Sequence, residues 1–165
     1  MLFALRPLPI AEVFMAIKEI GPQEAYHALQ NDAGCVYIDV RTVSEFVAGH
    51  PEGAVNIPVA IHDPAQGMVL NHEFVSVVEA HFPKDKRIIV GCQAGPRSNA
   101  AARMLQEAGY QDVSNMLGGF GGMRDPRGQV VAPGWSSLGL PVSQENGDGS
   151  SYESLAVKGK GGGKG

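Results

Sequence analysis

The stretch Ile88–Gly109, IIVGCQAGPRSNAAARMLQEAG, decides the fold. It opens on the end of a short β-branched run, RIIV (87–90), which reads as a buried strand. A loop with Gly95 and Pro96 follows, carrying Cys92 at its start. A helix is then expected from about Ser98 to Ala108, where Ala101, Leu105 and Ala108 share one face and Gly109 supplies the stop. A strand leading through a tight loop into a helix puts Cys92–Arg97 at the carboxyl end of one element and the amino end of the next. Sheets of alternating strands and helices place their ligands there, because unpaired backbone N–H groups and the positive end of the helix dipole converge on that edge.

The rest of the chain repeats the alternation. CVYIDV (35–40), AVNI (54–57) and DVSNML (112–117) read as strands, with IKEI (17–20) as a weaker first one. Helices are expected over Pro22–Gln30, with proline in the first turn, and over Glu73–Phe82, after an Asn71 cap and before Pro83. The pattern predicts an α/β fold with a mainly parallel, five-stranded central sheet flanked by helices on both faces. Residues 1–16 read as an N-terminal extension, 17–143 as the domain, and 144–165, rich in Gly, Ser and Lys, as a disordered tail with at most a helical turn at YESLAV.

Composition limits the function. The chain has 165 residues, 13 Lys and Arg against 17 Asp and Glu, and a formal net charge of −4, which gives no reason to expect nucleic acid as a partner. The opening MLFALRPLPIAEVF is interrupted by Arg6, Pro7, Pro9 and Glu12 and shows no signal-peptide pattern, and no apolar run is long enough to cross a membrane. Two cysteines cannot build a disulfide framework, and a reducing cytoplasm is the expected location.

Those bounds sharpen the reading of Cys92. An unperturbed thiol titrates near ~8.5. The amino end of a helix and a nearby Arg97 would both favour the thiolate, which marks Cys92 as a nucleophile candidate. The spacing to the arginine is C-x4-R, one residue shorter than the cradle with which cysteine phosphatases hold a phosphoryl group. A tighter ring of N–H donors suits a single added sulfur.

Several motifs in order carry a family resemblance. YIDVRTVSEFVAGHPEGAVNIP (37–58), GCQAGPRS (91–98) and NMLGGF (115–120) resemble the corresponding segments of rhodaneses, and NHEFVSVVEAHFPKDKRIIVGCQAGPRS (71–98) is similar to the small single-domain thiosulfate sulfurtransferases. The resemblance runs from about Ile17 to Leu117 and resumes at WSSLGLPV (135–142). It implies a rhodanese-like fold and transfer of sulfane sulfur through a persulfide on Cys92, without metal or organic cofactor. The expected partners are a small anionic sulfur donor such as thiosulfate and an acceptor, either cyanide, a low-molecular-weight thiol or a thioredoxin-like protein. Nucleic acid and membrane are not expected.

Roles carried over to single residues follow. Backbone N–H groups of Gln93, Ala94, Gly95, Arg97 and Ser98 are expected to cradle the added sulfur, and Ser98 could equally be a helix cap. Arg97 is expected to attract the donor, or else to form a salt bridge that only shapes the loop. Asp39 is expected to support the loop, and Arg41 to face the pocket or pair with Glu45. Pro96 removes one N–H from the cradle while stiffening it. The stretch 123–134 is an insertion before Trp135, expected to form a flap carrying Arg124 and Arg127. Two other classes stay open: a non-catalytic sulfur carrier or persulfide sensor, which needs Cys92 but not fast turnover, and a cysteine phosphatase or arsenate reductase on the same fold, which the short loop argues against.

Overall fold

The computed structural model describes residues 16–161. The expected N-terminal extension, but for Ala16, and the last four residues of the expected tail lie outside that range. In chain order the elements are β1 (Lys18–Ile20), α1 (Pro22–Asn31), β2 (Cys35–Asp39), α2 (Val43–Ala48), β3 (His50–Pro51) and β4 (Val55–Asn56). A hairpin of β5 (Ala60–Asp63) and β6 (Gly67–Leu70) follows, then α3 (Phe74–His81), β7 (Arg87–Gly91), α4 (Pro96–Glu107) and β8 (Asp112–Met116). A second hairpin, β9 (Met123–Arg124) and β10 (Val130–Ala132), precedes β11 (Val142–Ser143) and α5 (Tyr152–Gly161).

Five strands form one sheet in the order β1-β8-β7-β2-β4. Every neighbouring pair in it is parallel. Both faces are covered, which is why the central strands read as continuous apolar runs. Alternate residues of β2 and β7 separate cleanly. Ile38, Ile88 and Val90 join the side packed by α3, α4 and α5, whereas Tyr37 and Ile89 join the side packed by α1, α2 and Trp135. From β2 the chain continues to β4 on one flank, and from β7 to β8 on the other. The crevice between the carboxyl ends of β2 and β7 is therefore the switch point of the sheet.

Sequence periodicity missed α2, which spans six residues. Its entry is fixed by a capping box: Thr42 Oγ1 accepts from the Glu45 N–H, and the Glu45 carboxylate accepts from the Thr42 N–H. The fourth helix begins earlier than expected, at Pro96, so Ser98 lies inside the first turn and Gly95 is the cap residue. Pro96 occupies the one part of a helix where a missing N–H leaves no bond unmade. Asn71 accepts from the Glu73 N–H at 3.1 Å just ahead of α3.

The expectation of a disordered tail is corrected for the described part of 144–165. The Ser150 carbonyl accepts from the Asn56 N–H at 2.8 Å along the exposed edge of β4. Leu155 is 4% exposed in the core beside α3, and Asn71 Nδ2 donates to the Tyr152 hydroxyl at 3.0 Å. The segment is polar in composition, but Tyr152, Leu155 and Ala156 sit at helical spacing on one face. Deleting the residues after Gln144 is expected to lower stability by about 3 kcal/mol, since it uncovers the Leu155 seat and strips the edge of β4. Urea denaturation checks this; a truncated chain as stable as the full one would contradict the docking.

Candidate active site

Cys92 follows directly on β7 and is 1% exposed. The loop turns back over it. The Gly95 N–H donates to Cys92 Sγ at 3.0 Å, and Ser98 Oγ lies 3.3 Å from the same sulfur. Ser98 Oγ also lies 3.0 Å from the Gly95 carbonyl oxygen. Its single hydroxyl hydrogen can serve one of these acceptors at a time, so it can swing toward sulfur as negative charge builds there. Gly95 carries φ +138°, a conformation that side chains with a Cβ resist, and this lets the loop close tightly enough to aim its N–H at the sulfur.

The loop is held from outside by the turn after β8. The Phe120 N–H donates to the Cys92 carbonyl at 2.8 Å and the Gly121 N–H to the Gln93 carbonyl at 3.0 Å. That turn is closed in its turn by Trp135, whose N–H donates to the Gly119 carbonyl at 2.9 Å and whose indole N–H donates to the Pro141 carbonyl at 2.7 Å. Trp135 is 1% exposed and stands edge-on to Tyr26. The insertion therefore leaves and re-enters the fold at one place, and the tryptophan keeps its seat in the core despite it.

The two arginines have definite partners. Arg41 is 3% exposed and is pinned by Asp39, with its Nη2 also donating to the Gly49 carbonyl at 2.7 Å. Its Nη1 reaches Gln93 Oε1 at 3.2 Å, and its guanidinium lies over the Phe120 ring at 4.5 Å. Arg41 thus touches β2, the active loop and the Gly-Gly turn together, and of its two expected positions, pocket or pairing with Glu45, the pairing does not occur. Asp39 orients it and also accepts from the Arg41 backbone N–H at 3.0 Å. Glu45 instead takes Arg97: Nη1 and Nη2 donate to its two oxygens at 2.7 and 2.9 Å. Both terminal nitrogens expected to meet a donor are engaged by this carboxylate.

That pairing sets the electrostatics. Hydrogen bonding from Arg97, with help from Thr42 and against some desolvation, lowers the Glu45 carboxyl to about 2 from an ordinary 4.5. The hydrogen-bonded Glu45 carboxylate in turn raises the Arg97 guanidinium further above its usual range. A carboxyl depressed by folding stabilises the fold fully above its unfolded value, and that contribution fades as pH falls toward its folded one. Glu45→Gln, which keeps the capping geometry, is expected to lower the melting temperature at pH 7. The gap from wild type should narrow between pH 4.5 and pH 2. A gap independent of pH would contradict the pairing.

Of the remaining expected residues, Gln93 is exposed except for its contacts to Arg41 and Gly121, and Ala94 is half-buried at the loop's apex. Arg124 and Arg127 lie on the β9–β10 hairpin, whose turn is stitched by Asp125 accepting from the Arg127 and Gln129 N–H groups. Met123, at the hairpin's base, has its Cε within 3.5 Å of where a side chain on Gly95 would begin. The hairpin therefore rises next to the active loop. The residue that sequence reasoning placed differently is Glu45; the T-x-x-E spacing of Thr42 and Glu45 was the available signal for it.

Comparison with known proteins agrees with this architecture. The rhodanese-like domain family matches residues 22–125. The chain is 39% identical over 110 residues to thiosulfate sulfurtransferase 16, chloroplastic, of Arabidopsis thaliana, a span covering 67% of this chain and 81% of that protein. It is 36% identical over 109 residues to thiosulfate sulfurtransferase GlpE of Haemophilus influenzae, covering 66% and 89%. Of other plant relatives it spans about half the length. Among solved structures, Rv0390 from M. tuberculosis superimposes with a TM-score of 0.66 at 30% identity, covering 79% of this chain and all of that one.

Proposed function

The chain belongs to the rhodanese family, and from that premise we propose that it moves sulfane sulfur through a persulfide on Cys92. The observation that carries the proposal is the aim of the Gly95 N–H and Ser98 hydroxyl at a cysteine sulfur lying between a strand's end and a helix's start.

In the first half-reaction the Cys92 thiolate attacks the outer sulfur of thiosulfate, the S–S bond of the donor breaks, and sulfite leaves with the bonding pair. The product is a Cys92 persulfide carrying one negative charge. In the second half, cyanide or a thiolate attacks the outer sulfur and leaves as thiocyanate or a new persulfide, regenerating the Cys92 thiolate. The Gln93, Ala94, Gly95, Arg97 and Ser98 N–H groups cradle the charged outer sulfur, acting on charge where it develops. Asp39 and Arg41 hold the loop in that shape. Arg124 and Arg127, on the hairpin beside the loop, draw anions toward the mouth, an effect that shrinks as salt rises. The acceptor is a low-molecular-weight thiol or a thioredoxin-like protein, and a reducing compartment such as the cytoplasm keeps Cys92 available.

Steady-state turnover of thiosulfate with cyanide separates this reading from its rivals. An enzyme turns over many times per Cys92, whereas a carrier loads once and stalls. Hydrolysis of a generic aryl phosphate in place of sulfur transfer would point to a cysteine phosphatase.

A further inference from the structure

The parallel strands β1, β8 and β7 stand side by side, so the residues that follow them, Gly21, Leu117 and Cys92, emerge at one edge of the sheet. Between the first two lies a pocket of about 300 Å³, lined by Pro22, Leu117, Ala132, Pro133 and Leu138, with Glu24 as its one acid. Leu117 and Leu138 are 38 and 37% exposed. The pocket is tied to the active loop on two sides. Leu117 runs into the turn whose Gly119 abuts the Cys92 carbonyl and whose Phe120 N–H donates to that carbonyl at 2.8 Å. Ala132 and Pro133 close the return limb of the β9–β10 hairpin, whose outgoing limb brings Met123 up to Gly95. On the hairpin itself Val130 and Val131 are 52 and 58% exposed. Arg124 and Arg127 stand there against a single acid, Asp125, whose carboxylate is taken up by the Arg127 and Gln129 N–H groups. A chain of formal net charge −4 thus carries a cationic and partly apolar projection beside its reactive cysteine.

We infer, on the sulfurtransferase reading, that this edge docks the sulfur acceptor, and that the acceptor is a protein thiol carried on an extended, acidic segment with an apolar anchor. The anchor fills the pocket, the acidic residues face Arg124 and Arg127, and the cysteine reaches Cys92. A volume of about 300 Å³ takes one large apolar side chain, the kind of buried anchor on which binding energy concentrates. Neighbouring strands lie about 4.8 Å apart, so the pocket stands roughly 5 to 10 Å from Cys92, across one or two strands. An extended chain covers that in about two to three residues, which sets the spacing between anchor and thiol. Cys92 is 1% exposed, so the incoming thiol must project from a thin segment rather than from a broad surface. A second copy of this chain cannot supply it, because its two cysteines are the buried Cys92 and the half-buried Cys35 within β2. Charge complementarity at the hairpin admits an acidic partner that the rest of the surface repels. The transfer balances: the acceptor thiolate bonds the outer sulfur of the Cys92 persulfide, the bond between the two sulfurs breaks, and its electron pair returns to Cys92 as the thiolate.

The test uses thiosulfate as donor and measures kcat/KM for cyanide and for three reduced peptides, Ac-Phe-Glu-Glu-Cys-NH₂, Ac-Ser-Glu-Glu-Cys-NH₂ and Ac-Phe-Lys-Lys-Cys-NH₂. Each peptide is made in both chain directions, and each rate is referred to its thiolate fraction. In the preferred direction the first peptide is expected to exceed the other two by at least roughly tenfold, the scale of a filled anchor pocket. Its margin over the lysine peptide should shrink as salt rises. Leu138→Ser should erase the margin of phenylalanine over serine and leave cyanide turnover unchanged; Val131→Ser, on the exposed hairpin, gives an independent reading should the pocket variant not fold. Arg127→Glu should abolish or reverse the preference for glutamate over lysine. If thiosulfate loads Cys92 but the phenylalanine and serine peptides are used alike in both directions, or the two serine variants leave their ratio untouched, the docking surface falls. A lysine peptide used as well as the glutamate peptide, or a charge preference that survives Arg127→Glu, overturns the acidic partner. If thiosulfate places no sulfur on Cys92, the sulfurtransferase reading itself fails, and the acceptor with it.

Discussion

Cys92→Ser is expected to abolish sulfur loading and to lower turnover by at least about 10⁴-fold, the order seen when a covalent nucleophile is removed. Cys35→Ser is expected to leave both within about twofold of wild type, the ordinary consequence of a conservative change away from the reacting groups. The contrast follows from position. Cys35 starts β2 and pairs in register with Arg87, whereas Cys92 lies just past Gly91, which pairs with Asp39 at the other end of β2. Four residues of strand separate the two ends by roughly 13 Å. A disulfide needs Cα atoms within about 7 Å, so Cys35 cannot serve as a resolving thiol in this fold. Burial pushes the half-buried Cys35 thiol up, which disfavours its thiolate, although Arg87 opposes the effect. Sulfur loading followed by mass spectrometry of both variants checks the contrast. A folded Cys35→Ser protein without activity would contradict the single-cysteine mechanism.

Gly119→Ala has the second largest expected effect: loss of about 3 kcal/mol of stability and a turnover decrease of at least roughly tenfold, from backbone strain and overpacking combined. Gly119 carries φ +61°, and a Cβ built there would lie 2.5 Å from the Cys92 carbonyl oxygen and 2.7 Å from the Gln93 carbonyl carbon. Those neighbours are backbone and cannot swing aside. The turn must therefore back away from the active loop, weakening the bonds from the Phe120 and Gly121 N–H groups that hold Cys92 and Gln93. The loop should lose its grip on the sulfur before the domain unfolds. Thermal denaturation read together with kcat at a temperature where the variant remains folded checks both parts. A variant with wild-type turnover would mean that the loop keeps its shape without support from the turn.

The central strands were legible because each is buried on both faces and so needs a continuous run of β-branched residues; RIIV and CVYIDV carry that run without ambiguity. The Cys92 loop was legible for a related reason, since a cysteine followed by glycine, proline and a helical pattern admits few backbone paths. What escaped the sequence was decided by tertiary contact. The second helix is too short for periodicity to register, and only its capping box marks it. Arg41 and Glu45 stand four apart, a spacing that favours pairing on a helix, yet Arg41 precedes that helix and is drawn inward by Asp39. Glu45 is then left facing Arg97, 52 residues away in sequence, a partner no local rule could supply. The C-terminal helix escaped because its few apolar residues are diluted by Gly, Ser and Lys, while the seat that Leu155 fills is built by α3 and the sheet.

Sulfane sulfur is expected to reside on Cys92 during transfer. Intact mass spectrometry of the full chain after brief exposure to thiosulfate, with peptide mapping of the product, addresses it most directly. The expected result is the mass of one added sulfur, located on the peptide containing Cys92 and removed by cyanide. An unchanged mass, or an added sulfur that maps to Cys35, would contradict it.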